Sequence, residues 1–160
     1  MDTEQVTQEL HHPDAQTLLL SSPLTRLAYT GRDGLPRVIP IGFHWNGKAV
    51  VVCTAPISPK VAALSARPQV ALTIDTDSFP NKALLIRGLS TMETVDGVPD
   101  EYIAAAAKTM DDAQLPEFER QVRSLYKQMS RISITPGWAR FYDFGAGRVP
   151  AFLTKLADNP

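Results

Sequence analysis

The chain has 160 residues, the usual size of one domain, and is long enough to bury a substantial core. Hydrophobic residues make up 44% of it and charged residues 21%, which is typical of globular proteins and excludes disorder of the whole chain. Sixteen basic and seventeen acidic side chains give a net charge of -1, so no global positive field attracts polyanions. We therefore expect a folded protein that binds neither nucleic acid nor membrane.

Cysteine content and the first residues indicate a cytoplasmic protein. Cys53 is the sole cysteine, so no intramolecular disulfide can form, and no Cys/His cluster has the spacing that zinc requires. The first five residues are polar and acidic, unlike a signal peptide, and no run of 18 apolar residues could cross a bilayer. We predict a cytoplasmic location and no metal site.

Two segments are predicted before the first strand. Residues 1–13 are polar with little periodicity and are predicted to form a flexible N-terminal arm. Asp14 is expected to cap a short helix that contains Leu18 and ends before Pro23. Residues 14–160 are then predicted to form a single domain.

Short runs of β-branched and aromatic residues follow, with turn signals between them, and predict strands. Asp33-Gly34 and Asn46-Gly47 are residue pairs that tight hairpin turns favour. They separate three predicted strands, which cover residues 24–30, 36–45 and 48–54. Two consecutive hairpins of this kind predict a three-stranded antiparallel meander.

The rest of the chain alternates between helical and strand patterns. Ser58 stands where a helix cap belongs and Pro59 where a first turn tolerates proline, so residues 58–66 are predicted to be helical. Pro136-Gly137 interrupts the last strand and predicts an edge or a bulge. This order predicts a mainly β fold of the α+β class, an antiparallel barrel with helices packed on it. The remaining strands are predicted at residues 69–75, 83–93 and 131–144, and the remaining helices at 99–110 and 117–129.

A candidate anion site lies where a strand ends at Thr54 and a helix opens at Ser58-Pro59-Lys60. Free N–H groups and a positive dipole at a helix N-terminus, together with a lysine, suit a phosphate. Arg37 on a neighbouring strand could bring its guanidinium to the same oxygens. The alternative is that Ser58 only caps its helix, while Lys60 and Arg37 are solvated surface residues.

Several segments resemble, in the same order, the pyridoxamine 5'-phosphate oxidase-like, FMN-binding split-barrel superfamily. Each segment alone is a weak motif, and their order between about residues 15 and 150 carries the resemblance. The segments are Asp33-Gly34-Leu35-Pro36-Arg37-Val38-Ile39-Pro40-Ile41, Val51-Val52-Cys53-Thr54, Ser58-Pro59-Lys60, Pro80-Asn81-Lys82-Ala83-Leu84-Leu85-Ile86-Arg87-Gly88, Arg131-Ile132-Ser133-Ile134-Thr135-Pro136-Gly137-Trp138 and Asp143-Phe144.

The resemblance implies an antiparallel split β-barrel with helices packed on it, assembled as a homodimer with FMN at the subunit interface. The strand of Arg37 would run along the isoalloxazine ring, and Trp138 and Arg140 would approach the cofactor from the other subunit. Alternatively, Trp138 is a core residue and Arg140 a surface residue. The cofactor-binding set that the resemblance implies is Arg37, Val38, Ile39, Pro40, Ile41, Cys53, Thr54, Ser58, Lys60, Trp138 and Arg140.

Departures from the family pattern argue against pyridoxamine phosphate as the substrate. The oxidase itself carries a second basic residue where this chain has Pro59, a glutamine in place of Ala83 and a lysine for the substrate phosphate in place of Gly42. Its C-terminal Arg-x-His pair is absent, since Arg140 is followed by Phe141 and Tyr142. The resemblance is therefore to the flavin or deazaflavin oxidoreductase branch.

The sequence thus predicts an FMN-dependent oxidoreductase that transfers hydride to or from a small organic substrate, with no side chain assigned as catalytic. Three alternatives stay open: an 8-hydroxy-5-deazaflavin coenzyme, a non-catalytic flavin binder, and a haem binder with His44 as the axial ligand. Cys53 could also be simply a small core residue, and the acidic pair Asp75 and Asp77 is expected to face solvent. Scattered basic residues that could favour the anionic deazaflavin tail are Lys48, Lys60, Arg67, Lys82 and Arg87.

Overall fold

The computed structural model describes residues 1–157 and shows one seven-stranded antiparallel sheet with six helices around it. The strands are β1 (Leu24–Thr30), β2 (Pro36–Gly42), β3 (His44–Trp45), β4 (Val50–Thr54), β5 (Gln69–Asp75), β6 (Lys82–Asp96) and β7 (Gln128–Asp143). The helices are α1 (Thr3–Leu10), α2 (Pro13–Ser21), α3 (Pro59–Ala66), α4 (Asp100–Ala106), α5 (Leu115–Leu125) and α6 (Ala151–Ala157). The mainly β, α+β fold class predicted from the sequence is confirmed.

The predicted three-stranded meander is wrong, because β2 and β3 lie at opposite edges of the sheet. The strand order is β2-β1-β5-β6-β7-β4-β3, so the two predicted hairpins form but do not pair with each other. The strand predicted over residues 36–45 breaks at Phe43, whose side chain is fully buried. Residues of β1 and β3 nevertheless share one core cluster, so the sheet curls around it and brings β2 near β4.

Two hydrophobic clusters use the two faces of β4. Val50 and Val52 belong to the large cluster inside the curled sheet. Val51 and Cys53 point the opposite way, as period-two alternation in a strand requires, and pack against α4 and α5. The helical insertion between β6 and β7 therefore covers the outer face of β4.

The segment predicted as a flexible arm is instead largely helical. Asp2 and Gln5 form a reciprocal capping box at the start of α1, which supplies partners for two otherwise unbonded backbone N–H groups. Val6 and Leu10 lie one turn apart and are buried in the main core. Glu9 is buried as well, which an exposed arm would not allow.

Several predicted boundaries shift. His12, not Asp14, stands at the N-cap of α2, with Pro13 at the first helical position. The helix predicted over residues 117–129 is α5, which ends at Leu125, so Met129 belongs to β7. The predicted bulge near Pro136-Gly137 is confirmed by a register shift opposite Arg87 and Gly88. Residues 158–160 of the predicted domain lie outside the described residues.

Within residues 1–157, no helix is long and apolar enough to cross a membrane.

Candidate functional site

A cavity of about 620 Å³ lies at the split of the barrel, between β2, β4 and the helices α4 and α5. This volume is within the range of small-molecule and cofactor sites. Its walls are mostly apolar; three polar side chains meet where β4 leads into α3, and the Glu101 carboxylate lies on the α4 side. The residues that line this cavity include Ile39, Pro40, Ile41, Cys53, Thr54, Ser58, Lys60, Glu101, Tyr102, Phe118 and Tyr126.

The polar corner of this cavity is built by Thr54, Ser58 and Lys60. The Lys60 ammonium donates to Ser58 Oγ over 2.6 Å and to Thr54 Oγ1 over 3.3 Å. No carboxylate in residues 1–157 forms an ion pair with it, and burial lowers the pKa of Lys60. A partly desolvated cation next to two hydroxyl groups, with no counter-ion, fits a phosphate. The three residues that the sequence pattern brought together are therefore adjacent in space.

Ser58 occupies the N-cap position of α3, but its side chain makes no capping hydrogen bond. Its hydroxyl oxygen instead accepts from Lys60. The backbone N–H of Val61 donates to the Ser58 carbonyl over 2.9 Å, so this donor of the first turn is satisfied without the Ser58 side chain. The alternative interpretation of Ser58 as a cap alone is therefore wrong.

Strand β2 forms one wall through Ile39, Pro40 and Ile41, three residues of the predicted cofactor set. Val38 does not line the cavity and is exposed on the edge strand. Arg37 does not reach the polar corner either. Its guanidinium pairs with Asp33 over 2.5 Å, and it lies in a neighbouring cavity that shares Ser58 with the first. The sequence predicted that the Arg37 guanidinium would reach the phosphate site, and the structure does not show this contact.

The Asp33–Arg37 pair is organised by the β1–β2 turn. Asp33 accepts a hydrogen bond from the backbone N–H of Leu35 and then one from Arg37, and these bonds lower the pKa of Asp33. Both side chains are substantially exposed, so solvent screens their attraction. The pair fixes the direction of the Arg37 side chain more than it stabilises the fold.

Cys53 lines the cavity from β4 and is buried against α4 and α5. Burial, with a smaller contribution from the nearby Glu101 carboxylate, raises the pKa of the Cys53 thiol to about 12. The side chain is therefore a neutral thiol at physiological pH, as its interpretation as a small core residue requires.

The aromatic wall opposite β2 is not among the site residues predicted from the sequence. Tyr102 of α4, Phe118 of α5 and Tyr126, just after α5, line the cavity. The centroid of the Tyr102 ring lies 6.0 Å from that of Phe118 and 6.3 Å from that of Tyr126. The apolar spacing of α5 pointed to Phe118 as a packing residue only. No pattern in the sequence of the helical insertion between β6 and β7 indicates that α4 and α5 fold back over β4.

Glu101 brings a carboxylate to the same wall. It accepts a hydrogen bond from Arg131 over 2.5 Å, and Arg131 also pairs with Glu93 over 2.6 Å. These two carboxylates raise the pKa of Arg131, against the effect of burial. The Nε atom of Arg131 is buried without a partner. Glu93 and Glu101 share one guanidinium, so this group of three side chains keeps a net charge of −1, and Glu101 forms no ion pair with Lys60 in residues 1–157.

Trp138 and Arg140 lie on β7 and do not line the cavity of their own chain. The Arg87 guanidinium stacks over the Trp138 ring at 4.3 Å from its centroid. Arg140 pairs with the buried Glu9 over 3.0 Å. That these two residues reach a cofactor across a subunit interface stays a prediction.

The other candidates fall outside the main cavity. His44 lines a smaller cavity on the other side of α4, so the structure does not bring it to the residues described above. Asp75 pairs with Arg26 over 2.7 Å. In the described part of the chain, no three His, Cys, Asp or Glu side chains are grouped as a metal site would need.

No family model and no curated protein sequence matches the chain. Solved structures do match. A Listeria innocua protein provisionally described as a pyridoxamine 5'-phosphate oxidase has 18% identity and a TM-score of 0.55, covering 80% of this chain and 94% of its own. An F420 reductase has 22% identity and a TM-score of 0.54, covering 76% of this chain and 92% of its own.

The haem storage protein HutZ from Vibrio cholerae matches with 17% identity and a TM-score of 0.58, covering 82% of this chain and 93% of its own. Similarity at these identities shows the fold and leaves the cofactor and the reaction to be argued from the site. The fold that the sequence motifs predicted is confirmed: the chain shares the split-barrel fold of these solved structures.

Proposed function

We propose that the protein is an FMN-dependent oxidoreductase that acts on a small organic substrate. The observation that carries the proposal is the Lys60 ammonium, held by Ser58 and Thr54 at the corner of a cavity that β2 bounds. Solved structures of the same fold include an F420 reductase, which supports a flavin-type cofactor.

In this proposal the polar corner holds the cofactor phosphate. Lys60 would supply the positive charge, and the Ser58 and Thr54 hydroxyl groups, which now accept from Lys60, would turn to donate to phosphate oxygens. Because the cavity is partly closed by protein, each of these bonds is stronger than it would be in water. The three residues thus anchor and orient one end of the cofactor.

The apolar part of the cavity suits an aromatic ring system. Ile39 and Ile41 on one side and Tyr102, Phe118 and Tyr126 on the other provide aliphatic and aromatic surfaces that exclude water. A bound flavin would supply reversible hydride transfer. The protein would then orient the flavin, exclude water from it and offer it backbone polar groups of β2. It would need no acid or base side chain of its own.

The distribution of charge favours FMN over a deazaflavin with a polyanionic tail. Lys82 pairs with Asp14 and Asp143, and Arg87 stacks on Trp138. Of the scattered basic residues singled out in the sequence, Lys60 alone lines the main cavity in residues 1–157. One cation matches one phosphate group, whereas a chain of carboxylates would require several.

The substrate is not pyridoxamine phosphate in this proposal. Gly42 lines the cavity without a side chain, and Ala105 of α4 lies 3.7 Å from the place of a Cβ atom there. No cation therefore stands at this position to meet a substrate phosphate, and losing such contacts weakens binding about a hundredfold or more. FMN-loaded protein is expected to form no pyridoxal phosphate under air; turnover with a micromolar Michaelis constant would contradict this.

The proposal is tested first by the absorbance spectrum of the purified protein and by FMN titration followed through flavin fluorescence. Flavin bands and micromolar or tighter FMN binding are expected. A Soret band, or preference for the deazaflavin coenzyme in the same titration, would contradict FMN. The loaded protein is then mixed with NADH or NADPH without oxygen; bleaching of the flavin bands supports an oxidoreductase, and no bleaching with either donor supports a non-catalytic flavin binder.

A further inference from the structure

A second cavity, of about 340 Å³, lies between α2, β3 and α4, on the opposite side of α4 from the candidate cofactor cavity. Ala105 and Ala106 of α4 line the large cavity, whereas Ala104, Ala107 and Lys108 line the small one. The two cavities share no lining residue. The remaining walls of the small cavity are formed by Leu19, Leu20, His44 and Trp45.

Lys108 is the cation of this small cavity, and it has no counter-ion in the described residues 1–157. Its ammonium donates to the backbone carbonyl of Leu19 over 3.1 Å and lies 3.7 Å from the centroid of the Phe43 ring. A carbonyl and an aromatic face stabilise a cation only in part, and neither neutralises it. Desolvation lowers the pKa of Lys108 to about 8.

We propose that this cavity is a binding site for a small apolar monocarboxylate, whose carboxylate pairs with Lys108 and whose hydrocarbon part packs on the accessible lining residues Leu20, Ala104 and Ala107. An anion would supply the missing counter-ion and accept the hydrogen bonds that the ammonium does not yet make. A phosphate needs several donors, such as the two hydroxyl groups beside Lys60, whereas this cavity offers the Lys108 ammonium, one imidazole and apolar walls, so a monocarboxylate fits it better. His44 adds an imidazole that can donate one hydrogen bond.

The volume indicates the size of ligand that the cavity can hold. Taking about 30 Å³ for one water-sized group, 340 Å³ corresponds to about eleven non-hydrogen atoms. Benzoate and hexanoate are small enough to lie entirely within it. The apolar walls favour these over small hydrophilic acids.

The test is calorimetric titration of the full chain with sodium benzoate at pH 7. Lys108→Met, which keeps the length of the side chain and removes its charge, is expected to weaken benzoate binding at least about tenfold. Lys48→Met, at an exposed lysine, and Lys60→Ala, in the other cavity, are expected to leave it unchanged. Equal affinity in wild type and Lys108→Met, or weakening by Lys60→Ala, would overturn the proposal.

Two further measurements do not depend on Lys108→Met being folded. Benzamide, the neutral analogue, should bind wild type at least about tenfold more weakly than benzoate. Ala104→Leu, which fills the cavity and leaves the charge of Lys108 in place, should also weaken benzoate binding. Benzamide binding as well as benzoate, inorganic phosphate binding to Lys60→Ala more tightly than benzoate does, or no benzoate binding to wild type at millimolar concentration would each reject the proposed ligand class.

The pH dependence follows from the state of the amine. Ligand binding requires the protonated form, so affinity should be constant below the pKa of Lys108, about 8, and fall as the pH rises above it. Lys108 and His44 are the titratable side chains that line this cavity. Affinity that does not fall above pH 8 would contradict the proposal.

Discussion

Lys60 is half-buried at the corner of the main cavity, where two hydroxyl oxygens and no carboxylate meet its ammonium. Lys60→Ala is expected to weaken FMN binding by about 1.5 to 3 kcal/mol, the scale for a hydrogen bond to a charged group. The unfolding free energy should change by less than about 1.5 kcal/mol, because two hydrogen bonds to hydroxyl groups are lost but no ion pair is, and a partly desolvated cation is removed. Fluorescence titration and urea unfolding measure the two quantities.

The matched control is Lys48→Ala, since Lys48 is an exposed residue of the β3–β4 turn. It removes the same charge and should leave FMN affinity unchanged. Equal weakening by both substitutions would mean that only the net charge of the protein matters, and an unchanged dissociation constant in Lys60→Ala would reject the phosphate role.

Cys53 is expected to resist alkylation in the native protein. With a thiol pKa of about 12, the thiolate fraction at pH 8 is about one in ten thousand, and the strand and helices around it also restrict access. Iodoacetamide at pH 8 should therefore label the protein only after it is unfolded in urea, as mass spectrometry would show. Complete labelling of the folded protein within minutes would contradict the burial of this side chain.

At the level of single residues, the polar corner of the site could be predicted because its three residues are close together in the sequence. Thr54, Ser58 and Lys60 are close in sequence, and a strand that ends just before a helix necessarily brings them together. The direction of Arg37 was not predictable from its place on β2, because the competing Asp33 carboxylate becomes available only through the shape of the turn. Tyr102 and Tyr126 could not be predicted as site residues, because their place beside the cavity depends on how α4 and α5 pack on the distant strand β4.

Helix α1 is anchored to β7 by a single buried carboxylate. Glu9 accepts from Arg140 over 3.0 Å, from Arg148 over 2.5 Å and from the backbone N–H of Phe141 over 2.8 Å. Its side chain is 9% exposed, whereas both arginines are about 40% exposed and can be rehydrated when the carboxylate is removed. Removing the Glu9 carboxylate would therefore lower the unfolding free energy for two reasons: the Phe141 N–H loses its partner, and two ion pairs that solvent partly screens are lost.

Glu9→Ala is accordingly expected to lower the unfolding free energy by about 1 to 3 kcal/mol in urea denaturation. Glu4→Ala is the control, because Glu4 is exposed in the first turn of the same helix and should cost less than about 0.5 kcal/mol. If the two substitutions have the same effect, α1 is held by its apolar residues alone and the carboxylate has no structural role.

Among the elements, the sheet was more predictable than the helices. Asp33-Gly34 and Asn46-Gly47 act locally, and both hairpins form where these pairs predict them. For α1 the signals of a capping box and of Val6 and Leu10 one turn apart were present, but the polar composition of the segment outweighed them. The C-terminal limit of α5 was missed because Met129 continues its apolar spacing while pairing with Val95 of β6.

At the scale of the whole molecule, we propose that the protein is a homodimer. Ile57, in the loop between β4 and α3, is 93% exposed, and Val38 on the edge strand β2 is 66% exposed. Ile57 adjoins Ser58 of the polar corner and Val38 adjoins Ile39 of the cavity wall, and burying such side chains against a second copy would be favourable. Light scattering at micromolar concentration is expected to give twice the 17.5 kDa mass of one chain.

Val38→Glu and Ile57→Glu test the same proposal, because a charge in an apolar interface should shift the mass toward the monomer. Leu125→Glu, at an exposed position of α5 away from β2, is the control. A monomer mass for the wild-type chain, or a dimer that Leu125→Glu alone disrupts, would reject an interface at β2.

The order of the strands could not be deduced from the sequence. Tight turns fix which neighbours pair, but the joining of β4 to β7 depends on contacts between distant segments, for which no local pattern exists. The separation of β2 from β3 also depends on contacts between distant segments. The chain breaks at Phe43 because that side chain is buried in the core, and the core forms only when the other strands are in place.

The pairing of β4 with β7 has a consequence for the order in which the parts of the molecule form during synthesis. Strands β1, β2, β5 and β6 can pair as they leave the ribosome, but β4 has no partner except β3 until residues 128–143 follow. The run Val50–Thr54, buried on both faces in the finished fold, is therefore exposed throughout that interval and is the segment most open to aggregation. Because the main cavity needs β4 in place, no cofactor can protect the nascent chain, and we expect the yield of soluble protein to depend on chaperones more than on flavin supply.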